Sequence, residues 1–99
     1  MERLFKEHIE ITPGICGGKP RIAGHRIRVS DVTIWHERLG MTADEIASTY
    51  HVTVADVHAA LAYYFDYTAE IEAEIRESKR VAEELRALTP SKLRAKLGA

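Results

Sequence analysis

A chain of 99 residues, 45% hydrophobic and 29% charged, is the size of one compact domain and too apolar to remain disordered. Its one cysteine rules out an internal disulfide, and no apolar run reaches the roughly 18 residues of a membrane span or the layout of a signal peptide, so a cytoplasmic protein is expected. The net charge of -1 conceals a basic, acidic, basic order: seven Lys/Arg against five Asp/Glu in residues 1–40, one against eight in 41–78, and six against two in 79–99. Such asymmetry gives different segments different partners, or leaves the middle as a solvated acidic face.

Residues 1–12 begin with helical character, but His8–Thr12 alternates and runs into Pro13-Gly14, which predicts a short strand stopped by a turn. From Arg21 the pattern predicts a β-hairpin, with Gly24-His25 as a two-residue type II′ loop and Ile22 opposite Ile27. In that register Arg21, Ala23, Arg26 and Arg28 share the other face as a small basic ribbon, either a solubilising edge or a binding surface.

Ser30 with Asp31 caps a first helix over 31–39, whose stripe of Val32, Trp35 and Leu39 stops at Gly40. Thr42 and Glu45 form a capping box for a short second helix that buries Ile46, Ala47 and Tyr50. Three residues later Thr53 and Asp56 cap a third helix with the stripe Val57, Leu61 and Tyr64. A short helix, a tight turn and a longer helix is the spacing of a helix-turn-helix, with the helix at 31–39 closing the core.

The stripe does not stop at Tyr64. Steps of four and three continue through Thr68, Ile71, Ile75, Ser78, Ala82 and Leu85, predicting one helix over about 54–88 that projects from so small a domain and needs a partner. The alternative is a break near Asp66–Thr68 with the later helix folded back on the core. Thr89-Pro90 ends the helix and leaves a basic tail.

The chain therefore reads as mainly α: a small three-helix helix-turn-helix domain preceded by a short β-hairpin (residues 1–66), then a long C-terminal helix and basic tail (67–99) for dimer or partner contacts. Tyr64, Ile71, Ile75, Leu85, Leu88 and Leu93 are the expected interface. Thr53, Val54, Ala55 and His58, at the start of the third helix, are the expected base-edge contacts. Lys19, Arg21, Arg26 and Arg28 are the expected phosphate contacts. The third helix has no Lys or Arg of its own, so the N-terminal cations or a second subunit must supply the electrostatic attraction.

Catalytic chemistry finds no constellation. "GICGGK" has glycines before a lysine, but Pro20 stands where a phosphate loop needs Ser or Thr for magnesium, and the glycine spacing is one residue short. Cys16 has no assignable base and reads as a small packing residue. The five histidines lack zinc spacing. Asp44, Glu45 and Asp56 are explained by capping. No metal, no cofactor and no enzymatic activity are expected.

The stretch Ile9–Tyr67 resembles the family known as domain of unknown function 433, whose members look like VapB-type antitoxins. The resemblance rests on Pro13-Gly14, Gly17-Gly18-Lys19-Pro20, Ile22, Gly24, Arg26-Ile27, Val29, Gly40-Met41 and "ALAYY" at 60–64; His25 stands where the family usually has Thr. It implies a helix-turn-helix protein, commonly dimeric, that binds and silences a PIN-like nuclease toxin and represses their shared promoter. A protein-interaction module that keeps the scaffold without touching DNA is the alternative.

Overall fold

The computed structural model describes residues 7–88. Its elements are β1 (Ile9–Glu10), a 3-10 turn at Cys16–Gly18, β2 (Arg21–Ile22), α1 (Val29–Thr33) running on into a π-helical segment (Ile34–Arg38), α2 (Ala43–Tyr50), α3 (Val54–Asp66) and α4 (Thr68–Leu88). The fold is mainly helical with a short antiparallel pair of strands at its N-terminal end. No helix among the described residues is long and apolar enough to cross a membrane.

β1 pairs with β2 in the register Ile9↔Ile22 and Glu10↔Arg21, so the strand predicted before Pro13 finds its partner at Arg21–Ile22. The expected loop at Gly24-His25 is differently built. The His25 amide donates to the Ile22 carbonyl at 3.0 Å, which puts Gly24 third in the turn, where its φ of 77° suits a type II rather than a type II′ geometry. Ile22 still faces Ile27, whose carbonyl accepts from the Ile22 amide at 2.8 Å. Beyond that pair the ladder is a single Arg21↔Arg28 bridge.

α1 begins two residues earlier than expected. Ser30 lies buried inside it, and the capping contact is made by Asp31, whose carboxylate accepts from the Arg28 amide at 3.0 Å. The Leu39 amide reaches back five residues to the Ile34 carbonyl. This wider winding turns the later side chains away from the direction set by Val32, and Leu39, expected on the core stripe, is 67% exposed. Trp35 instead stacks on Tyr50 of α2, ring centroids 3.7 Å apart.

α2 and α3 begin on the two expected capping boxes. The Thr42 hydroxyl accepts from the Glu45 amide while Glu45 accepts from the Thr42 amide, and Thr53 and Asp56 repeat the exchange. Between them His51 adopts the left-handed conformation, φ 58° and ψ 42°, and Val52 drops into the core.

Of the two arrangements expected after Val54, the structure has the break near Asp66–Thr68 and not one helix from 54 to 88. At Tyr67 the backbone leaves helical geometry, φ −125° and ψ 42°. The Thr68 hydroxyl then donates to the Tyr64 carbonyl at 2.8 Å, supplying a partner for a group that an unbroken helix would have satisfied through its backbone. This break turns Ile71 and Ile75 back onto the core formed by Ile22, Val29, Val32, Ile46, Val57 and Ala60. Ile71 and Ile75 thus belong to the same core as the helices before them. Every residue from Arg76 to Leu88 is exposed.

Candidate functional site

The corner between α2 and α3 presents the first turn of α3 to solvent. Thr53, Val54, Ala55 and His58, the four expected base-edge contacts, are all exposed there. Asp56 in the same turn is drawn inward, its Oδ1 2.8 Å from Nδ1 of His8. Burial raises the Asp56 carboxyl, but the His8 hydrogen bond and the bonds with Thr53 outweigh it and hold the pKa below its ordinary value. A link between the N-terminal strand and the α3 cap is not legible in sequence, because nothing marks His8 and Asp56 as neighbours. The electrostatics of the corner are negative: Asp44, Glu45 and Asp56 lie on it, and no Lys or Arg occurs from Met41 to Ile75.

The four expected phosphate contacts divide. Arg21 is 5% exposed, and its guanidinium is occupied by Glu10 at 2.8 Å, the Thr12 hydroxyl at 3.2 Å and the His25 carbonyl at 2.9 Å. It therefore braces the strand pair and the turn and cannot reach a phosphate; alternation along the strand placed it on the outer face, but the loop 11–15 covers that face. Arg28 is half-buried and 3.8 Å from Asp31. Lys19 and Arg26 remain exposed. Arg26 opens onto a shallow depression lined also by Ile15, Arg21, Gly24 and His25, and its carbonyl accepts from Cys16 Sγ at 3.3 Å.

The expected interface residues divide as well. Tyr64, Ile71 and Ile75 are 9%, 1% and 8% exposed within this chain's own core, so they hold the fold together and are not available to a partner; the stripe is real, but the break at Tyr67 turns it inward. The Tyr64 hydroxyl donates to Glu72 at 2.7 Å, and Arg38 pairs with the same carboxylate. The Tyr64 bond is the main reason the Glu72 pKa falls; burial opposes it and Arg38 assists. Leu85 and Leu88 are 61% and 79% exposed. Leu93 lies outside the described residues.

Where α4 leaves the core there is an open groove of about 500 Å³ lined by Ile34, Arg38, Ile75, Arg76, Ser78 and Lys79. Only the overhang of α4 was anticipated; the groove depends on the π-helical segment standing beside it. No cluster of metal-ligating side chains occurs among the described residues.

The family described as Protein of unknown function (DUF433) matches residues 9–64. A solved structure, the crystal structure of a DUF433 member protein from Anabaena variabilis ATCC 29413 at 2.00 Å resolution, is similar to this chain: 33% identical, covering 76% of this chain and 74% of that one, with a TM-score of 0.65. No curated protein matches.

Proposed function

The chain belongs to the DUF433 family, and from that premise we propose that it acts as an antitoxin-type regulator. In this reading α2 and α3 work as a helix-turn-helix that sets the first turn of α3, with Thr53, Val54, Ala55 and His58, against base edges in the major groove. Lys19 and Arg26 hold the flanking phosphates. A homodimer in the cytoplasm supplies two such helices to the promoter, and the overhang of α4, with Leu85, Leu88 and the tail bearing Leu93, grips a PIN-like nuclease toxin. The observation that carries the proposal is the pair of capped helices hinged at left-handed His51 with the start of α3 exposed.

Gel-shift measurements on DNA upstream of the gene, at low salt, alone and with the product of the neighbouring gene, test it. Binding is expected, and Arg26→Ala should lower the log-log salt slope by about 1. Absence of any shift in both conditions would remove the regulatory half of the proposal.

A second reading is favoured by a specific observation: no Lys or Arg from Met41 to Ile75, and Arg21 engaged within the fold. Under it the chain is a protein-interaction module that uses the same scaffold without DNA. Leu88→Asp should then abolish partner capture, with no promoter binding to lose.

A further inference from the structure

The side of α4 that enters the core with Ile71, Glu74 and Ile75 continues along the overhang, at steps of three and four, as Ser78, Val81, Ala82, Leu85 and Leu88. Its first turn outside the core forms one wall of the groove, whose floor is Ile34 and Ile75. Helical geometry places Lys79 and Arg86 on one edge of this apolar strip. The acids on the other edge are already taken, since Arg80 pairs with Glu77 at 2.6 Å and with Glu84 at 2.8 Å. Glu83, outward of Lys79 and Arg86, makes no ion pair with either among the described residues. Arg76, Lys79 and Arg86 have no ion pair among the described residues. The strip from Arg76 to Leu88 is about 20 Å long at 1.5 Å per residue, the length of three to four helical turns.

Charge decides what suits it. The chain's own tail beyond Leu88 carries Lys92, Arg94 and Lys96 and no acid, so it meets like charge along this edge. A second copy laid antiparallel on the strip sets Lys79 against the other copy's Arg86, again like against like, and one laid parallel sets them against Glu77 and Glu84, which Arg80 already holds. We propose that the groove and the overhang form one docking strip for an acidic amphipathic helix of another protein, whose apolar side covers Ile34, Val81 and Leu88 while its carboxylates face Lys79 and Arg86. This rests on the partner-binding half of the reading above and supplies the chemistry of the partner.

The test uses the full chain and two labelled synthetic peptides, identical amphipathic helices with leucines at heptad spacing and either glutamates or lysines along both flanks, followed by fluorescence anisotropy. The glutamate peptide should bind about tenfold or more tightly than the lysine peptide, and the Lys79→Glu/Arg86→Glu variant should reverse that preference. Leu88→Asp should weaken both. All these side chains are exposed, and an unchanged circular dichroism spectrum confirms that each variant folds. Equal affinity for the two peptides, binding of neither, or a preference unmoved by the double charge reversal overturns the proposal. So does sedimentation showing a dimer that Leu88→Asp dissociates, since a second copy is then the occupant. A chain that prefers the glutamate peptide yet captures no neighbouring gene product removes the toxin and leaves the strip standing.

Discussion

Ile71→Ala asks whether α4 belongs to the folded body or merely follows it. Ile71 is 1% exposed, and the substitution deletes three buried carbons at roughly 0.8 kcal/mol each, about 2.4 kcal/mol of transfer free energy. The cavity adds to this, and the better helix propensity of alanine returns a few tenths, giving a loss of about 3 kcal/mol within the usual 2–5 range. Trp35 is the only tryptophan and lies against Tyr50, between α1 and α2. Urea unfolding followed by Trp35 fluorescence therefore reports the packing of the helices before the break at Tyr67. Fluorescence and the helical circular dichroism signal should shift together by this amount, while Leu85→Ala, at a position 61% exposed, should stay within about 0.5 kcal/mol. A Trp35 transition that Ile71→Ala leaves in place while helical signal is lost early would show α4 to be a separate unit and refute the reasoning.

Thr42→Ala and Thr53→Ala each remove a hydroxyl cap from a helix start and should each cost about 1 kcal/mol, measured by the same urea titration. Because the Asp56 pKa is lowered from 3.8 in the folded chain, its contribution to stability is present above that value and declines as pH falls below it; His8→Ala should flatten this acid limb, read from urea midpoints between about pH 5 and 2. Arg21→Ala leaves Glu10, the Thr12 hydroxyl and the His25 carbonyl without their donor and should cost about 2 kcal/mol, discounted because Glu10 is 44% exposed. Arg26→Ala should leave thermal stability unchanged. His51→Gly relieves a left-handed non-glycine residue and should raise the unfolding free energy by up to about 1 kcal/mol, read as a higher urea midpoint.

Much of the framework was legible because it is local. Capping boxes at Thr42 and Thr53 are four-residue events, and the structure makes them as the sequence spells them. Pairing was harder: Arg21 reads as a surface cation by alternation alone, and its burial depends on Glu10 of the paired strand and on Thr12 just beyond it. The stripe from Val57 to Leu85 was equally visible, but periodicity does not record the backbone turn at Tyr67 that separates its inward half from its outward half. Leu39 was misplaced for a related reason, since one extra residue in the winding at Ile34–Arg38 changes the direction of everything after it. Of the expected surfaces, the exposed first turn of α3 followed directly from its cap. The groove beside α4 did not, because it needs both the break and the wide turn.

The two halves of α4 differ in what supports them. Up to Ile75 the helix is clamped by side chains packed into the interior, whereas beyond it the side-chain ion pairs among the described residues are those made by Arg80, along a length at which isolated helices are marginal in water. Amide hydrogen–deuterium exchange along this single element should therefore be graded, slow through Ile75 and quickening toward Leu88. Anything that settles on the outer half must first still that fraying, so the slowing of exchange between Arg76 and Leu88 is a direct gauge of occupancy.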